Sequence, residues 1–221
     1  MIPIADESPR RYIPVVNYLI IAANILVYFY QPVDLQSKKL FFNSFGLVPS
    51  NVTHFQGDLY IYGTLFTSMF LHADLWHLLG NMLYLWIFGD NIEYVLGHIR
   101  YFVFYIVVGA GAALMQVIFF PESQIPMIGA SGAISGVLGA YLLKFPRNRV
   151  SILFFFFIII RVIKVPAVLA ISLWVLFQLY NIYFSDRATL GQGGVAWFAH
   201  LGGFLSGFIL IKLFEWYPRY K

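Results

Sequence analysis

Residues 127–143 read MIGASGAISGVLGAYLL, and residues 195–214 read VAWFAHLGGFLSGFILIKLF. Both runs are apolar enough for lipid, yet the first carries Ser131 among small residues and the second carries a lone histidine, His200. A hydroxyl and an imidazole at membrane depth are costly and mark function, and nucleophilic catalysis is one of the few chemistries that uses both.

The composition around these runs agrees with a membrane setting. The chain has 221 residues, 60% hydrophobic and 11% charged, whereas a soluble domain carries about 25% charged residues. This implies a multi-pass membrane protein with almost no soluble portion. The lack of cysteine excludes thiolate catalysis and cysteine-based metal sites. The net charge of +4 does not point to nucleic acid, because the basic residues sit at the ends of apolar runs. Residues 1–13 are polar, with Arg10 and Arg11 just before the first apolar run. They read as a cytoplasmic segment ahead of an uncleaved signal anchor.

Crossing about 30 Å of hydrocarbon takes roughly 20 helical residues. Six spans are expected, at about 14–30, 75–92, 101–120, 131–144, 165–184 and 196–214. The expected fold is an all-α six-helix bundle over 14–216, with one long outer loop at about 31–74 and a cytoplasmic tail at 217–221. Segment 151–164, SILFFFFIIIRVIK, is too short to cross alone and reads as an interfacial segment on the cytoplasmic side, its phenylalanines facing lipid. With the N-terminus inside, 11 of the 14 Lys and Arg lie on the cytoplasmic side, leaving Lys38, Lys39 and Arg187 outside. That bias predicts both termini in the cytoplasm. No internal repeat is evident, which weighs against an inverted-repeat transporter.

Spans two, four and six all enter from outside. His77 lies 13 residues before Asp90, Ser131 lies 13 before Lys144, and His200 lies 12 before Lys212. At the rise of an α-helix, all three sit about 18–20 Å above the inner boundary. The fourth span is too short to cross alone, so PESQIPMIGA at 121–130 must enter the membrane as non-helical chain beside protein or a wet cavity. A serine at the start of such a helix meets free N–H groups that suit a developing oxyanion. Gly132, Gly136 and Gly139, with Gly203 and Gly207, have the spacing that lets two helix backbones approach closely. His77 and Asn81 share one helix face and supply two donors; alone, the pair would read as a polar link between helices. The acidic residues Asp74, Asp90, Glu93, Asp186 and Glu215 all lie at span ends. A Ser–His dyad without a carboxylate partner is therefore expected. Gln116, Gln178 and Asn181 read as interhelical hydrogen-bond partners, and the HExxH pattern of a zinc protease is absent.

HLLGN at 77–81, GASG at 129–132 and AHLGGFLSG at 199–207, in that order, resemble the rhomboid intramembrane serine proteases. The resemblance covers nearly the whole chain. It implies Ser131 as nucleophile, His200 as general base, and His77 and Asn81 as the oxyanion hole with the main-chain N–H of the serine. It implies shaping of that hole by Gly129, a structural role for Glu93, a cavity-mouth role for His72 (for which a solvated loop histidine is the rival reading), and a span five, carrying Trp174, that admits substrate. One residue departs from the pattern. The family often has Phe or Tyr four residues after the nucleophile, packed on the base, and here that residue is Ser135. Trp197 or Phe198 could fill the space, and Ser135 itself is a candidate decoy nucleophile. The implied activity is endopeptidase cleavage of single-span membrane proteins within a lipid bilayer. No cofactor, metal or nucleic acid is expected, and the expected setting is a prokaryotic cell membrane with the site open to the outer side. The rivals are a rhomboid-like protein that binds membrane clients without cutting them and, less favoured, a small channel or transporter.

Overall fold

The computed structural model describes residues 2–8, 13–54, 59–156, 159–184 and 195–215. The topology markers Arg10, Arg11, Arg187, Arg219 and Lys221, and the tail 217–221, lie outside the described residues. The chain opens with strand β1 (Ile2–Asp6) and helix α1 (Val15–Tyr30). The long loop folds into α2 (Leu35–Phe45), α3 (Pro49–Thr53) and α4 (Tyr60–Thr67). Helix α5 (Leu75–Tyr84) continues through a π-helical turn, Leu85–Gly89, into α6 (Asp90–Leu96). Then follow α7 (His98–Phe119), α8 (Ser131–Lys144), strands β2 (Arg149–Phe156) and β3 (Ile159–Pro166), α9 (Ala167–Phe184) and α10 (Trp197–Phe214).

Helix occupies each of the six segments read as spans. Among the described residues, three helices are long and apolar enough to cross a membrane by themselves: His98–Phe119, Ala167–Phe184 and Trp197–Phe214. Helix α8, with 14 residues, is short for a span, as the sequence suggests.

The all-α expectation needs correction. Strands β2 and β3 form an antiparallel pair, Arg149 opposite Pro166 and Phe154 opposite Arg161, and β1 adds to the other edge of β2 with Ile2 opposite Leu153 and Asp6 opposite Val150. The result is a three-stranded sheet in the order β1-β2-β3. The physical reason is composition: Val, Ile and Phe dominate both strands, and β-branched and aromatic side chains suit a pleated, half-buried surface. A run this short can close its hydrogen bonds as a sheet but is too short to cross a bilayer as a helix. Asp6 then ties the sheet to the helices, its Oδ2 accepting from the Tyr141 hydroxyl at 2.6 Å and from Asn91 Nδ2 at 3.1 Å.

Helices α7, α8 and α10 form the tightest part of the bundle, and glycine makes this possible. A Cβ at Gly203 would overlap the carbonyl oxygen of Gly132, one at Gly207 that of Gly136, and one at Gly139 that of Phe204. The two backbones thus touch directly, as small residues at this spacing permit. At the end of the bundle that carries Lys144, this lysine pairs with Glu215 at 2.5 Å.

Buried polar groups anchor α1. Glu93, fully buried, accepts from the N–H groups of Val16 at 3.0 Å and Asn17 at 2.6 Å, so it holds the exposed donors of the α1 N-terminus. His98 pairs with the same carboxylate. Asn17 donates to the Leu85 carbonyl at 3.0 Å inside the π-turn and accepts from the Tyr101 hydroxyl at 2.7 Å. The π-turn leaves a carbonyl without its usual partner, and the side chain of Asn17 supplies one.

The stretch between α7 and α8 is non-helical, and the long loop covers it. Leu47 and Met127 exchange two backbone hydrogen bonds, of 3.0 and 2.7 Å, and Ser50 N–H donates to the Ser123 carbonyl at 3.0 Å. Irregular backbone here is covered by protein, the condition under which it survives at membrane depth.

Candidate active site

Helix α8 begins at Ser131, and no side chain caps its N-terminus. The first N–H groups of the helix are therefore left for another partner. Ser131 is half-buried, at the edge of a cavity of about 710 Å³. His200 projects from the first turn of α10 into the same cavity, and its Nε2 lies 2.8 Å from Ser131 Oγ. Two side chains 69 residues apart in sequence thus meet at hydrogen-bond distance, because the α8 and α10 backbones are in glycine contact just below them.

The ring of His200 is held on its other side as well. Its Nδ1 lies 2.9 Å from Gln178 Oε1 on α9. Trp174, one turn earlier on α9, packs 6.0 Å from the imidazole centroid, and Trp197 meets the ring edge to face at 6.1 Å. These two indoles occupy the role left open by Ser135. Trp197 is where proximity suggests, whereas Phe198 turns away to stack on Phe119 at 4.2 Å. Ser135 is buried, and its hydroxyl donates to the Ser131 carbonyl at 2.7 Å.

His77 and Asn81 line the same cavity as the dyad. The N-terminus of α5 is capped by Asp74, which accepts from the His77 N–H at 2.9 Å. Gly129 has φ of +121°, a conformation that disfavours any side chain. A Cβ there would sit 2.8 Å from His77 Nε2 and 3.7 Å from Asn81 Nδ2. Glycine leaves a small volume open between two donors and the start of α8. Both side chains thus border the space beside the start of α8 that a side chain at Gly129 would fill.

His72 is fully buried rather than solvated. Its Nε2 lies 3.0 Å from Asn81 Nδ2, and Gln31 clamps its backbone, accepting from the His72 N–H at 2.9 Å and donating to its carbonyl at 2.8 Å. Burial, reinforced by the neighbouring His77, pushes the His72 imidazole down to about 4, so it stays neutral and can accept from the Asn81 amide. Asn81 keeps a second N–H for the cavity.

All four residues singled out in the sequence therefore line one cavity. Sequence reasoning understated Gln178, read only as a link between helices, and missed Gln31. The signal for both was an amide at the edge of or inside an apolar helix, where a polar group has to find a partner.

Residues 60–216 match the Rhomboid domain, well over half of the chain. The chain belongs to the rhomboid family. Relatives include Rhomboid protein 1, mitochondrial, of Saccharomyces cerevisiae, 31% identical over 154 residues that make up 68% of this chain and 40% of that protein. Rhomboid protease GluP of Bacillus subtilis is 31% identical over 198 residues, 88% of this chain and 34% of the relative. Rhomboid protease AarA of Providencia stuartii is 28% identical over 215 residues, 86% of this chain and 69% of the relative. The chain thus spans about 40% of the length of the first of these and 34% of the second. Rhomboids similar to this one come from bacteria, yeast and Arabidopsis, so family membership assigns a membrane protein without specifying which membrane.

Proposed function

We propose that this rhomboid is an intramembrane serine endopeptidase that cleaves transmembrane segments of single-span membrane proteins. The observation that carries the reading is the 2.8 Å approach of His200 Nε2 to Ser131 Oγ within a cavity that also holds His77 and Asn81. In the proposed cycle, Ser131 Oγ–H donates to His200 Nε2, and the oxygen attacks the scissile carbonyl as the proton moves to the ring. Charge develops on the carbonyl oxygen and is met by His77 Nε2–H, Asn81 Nδ2–H and main-chain N–H groups at the start of α8. His200 then gives its proton to the leaving amine. Water, activated by the same imidazole, hydrolyses the acyl-enzyme and restores the hydroxyl.

In this reading α1, α5 with α6, α7, α8, α9 and α10 cross the membrane, with both termini in the cytoplasm and the cavity open to the outer side. The Lys and Arg bias supports this orientation. The exposed Ala73 and Asp74 at one rim of the cavity support access of water from the side of the long loop. The helix that enters as substrate must unwind locally, because a helical peptide bond is shielded. The reading as a client-binding protein without activity rested on Ser135, and the packing of two indoles beside His200 weighs against it.

The test is incubation of the purified protein, in detergent or bilayer, with a panel of single-span substrates. Wild type is expected to cut at least one of them, and Ser131→Ala and His200→Ala are each expected to lose at least about a thousandfold in rate. Cleavage that survives Ser131→Ala would exclude this site.

A further inference from the structure

Among the described residues the dyad has no carboxylate partner, yet the base is not left to packing alone. Gln178 is among the few buried residues of α9, which otherwise buries Ala167 and Ile171. Its side chain is 2% exposed. Its Nε2 donates to the carbonyl of Trp174 at 3.3 Å, one turn back along the same helix, and its Oε1 faces His200 Nδ1 at 2.9 Å. These two contacts distinguish the ends of the amide. The reverse orientation would set oxygen against the Trp174 carbonyl and NH₂ against the ring.

An acceptor at Nδ1 has a chemical consequence. A neutral imidazole carries one proton, and the nitrogen that faces an oxygen acceptor keeps it. With Nδ1 protonated, Nε2 presents its lone pair to Ser131 Oγ, the tautomer a base requires. The opposite tautomer would donate to the serine and could not accept its proton. An amide achieves this without burying a charge beside a neutral ring at membrane depth, where an unpaired carboxylate would be costly.

We propose that Gln178 is a positioning residue that holds His200 in the base-competent tautomer, an amide in the role that a carboxylate plays in a Ser–His–Asp triad. For its catalytic consequence this rests on the Ser131–His200 reading above.

The experiment uses the full chain with Gln178→Leu and Gln178→Glu, the second keeping an acceptor of the same length. Two experiments are read: the kinetics, as kcat and KM on a substrate cut by wild type, and the ¹⁵N spectrum of histidine-labelled protein in a Ser131→Ala background, with the His200 signal assigned by its loss in His200→Gln. Gln178→Leu is expected to lower kcat by about 10- to 100-fold with KM within about twofold, since a misdirected tautomer removes part of the general-base contribution. It is also expected to abolish the Nδ1–H signature of His200. Gln178→Glu is expected to restore that signature and kcat to within about fivefold of wild type. An unchanged His200 spectrum in Gln178→Leu, or kcat within about twofold of wild type, would overturn the proposal. Should Ser131→Ala itself still cleave, the dyad reading fails separately, and the spectrum alone then decides whether Gln178 sets the tautomer.

Discussion

Ser131 and Ser135 stand one turn apart on the same helix, and what separates them chemically is the direction of one hydrogen bond. The Ser135 hydroxyl donates back to the Ser131 carbonyl, whereas Ser131 Oγ faces an imidazole. Ser135→Ala is therefore expected to keep activity within about threefold, measured on the substrate that Ser131→Ala no longer cuts. Gly129 was legible as a small residue beside the serine, but its positive φ and the nearness of the His77 ring emerge only in three dimensions. Gly129→Ala should push a methyl between the donors and lower kcat by about 10²- to 10³-fold, comparable to loss of one oxyanion donor, with the protein still folded by thermal melt. Wild-type kcat in this variant would contradict the assignment. His72 contributes to the pH dependence of stability. Folded, its ring stays neutral down to about 4, while unfolded it titrates near 6.5. Between these values the unfolded chain holds the extra proton, so stability falls as pH drops, by up to about 1.4 kcal/mol per pH unit for this group. Melting in detergent from pH 7 to pH 4 should show the decline, and His72→Gln should lessen it; an equal decline in both proteins would show that the ring is not the cause.

At the scale of elements, helix periodicity and glycine spacing were readable because both follow from local geometry. The contact of α8 with α10 is written in the spacing of Gly132, Gly136, Gly139, Gly203 and Gly207. Gly207→Ala forces a methyl into the Gly136 carbonyl and should destabilise by about 1–3 kcal/mol, read as a lowered Tm. Gly80, on α5, has open space around its would-be Cβ, so Gly80→Ala should hold Tm steady or raise it slightly, as expected for a helix interior. Equal losses at the two positions would contradict the packing described. The strands were not legible. A short apolar run such as SILFFFFIII has the same pattern in a buried strand as in a helix or an interfacial wedge, and periodicity alone cannot separate them. One of its two partners, β1, lies 151 residues away at the pair Ile2 and Leu153. Long-range pairing of this kind leaves no local mark.

For the whole molecule, sequence carried the convergence of the site further than the shape of its surroundings. Depth counts along three helices brought His77, Ser131 and His200 to one level, and the cavity holds all three. The same reasoning gave 31–74 only as one long outer loop, without the helices α2, α3 and α4 that fold within it or the pairing of Leu47 with Met127 over the non-helical lead into α8. Orientation is directly testable, because the chain contains no cysteine and any introduced one is unique. In intact cells or sealed vesicles, Lys39→Cys and Lys164→Cys should react with an impermeant maleimide from opposite sides, Lys39→Cys from outside. Labelling of both from one side would refute the proposed topology. The central claim, that an alcohol and an imidazole from separate helices form one nucleophilic pair, is tested most directly by a fluorophosphonate probe with the adduct mapped by mass spectrometry. The account predicts modification of Ser131 that disappears in His200→Ala; an adduct on Ser135, or labelling of Ser131 that persists without His200, would contradict it.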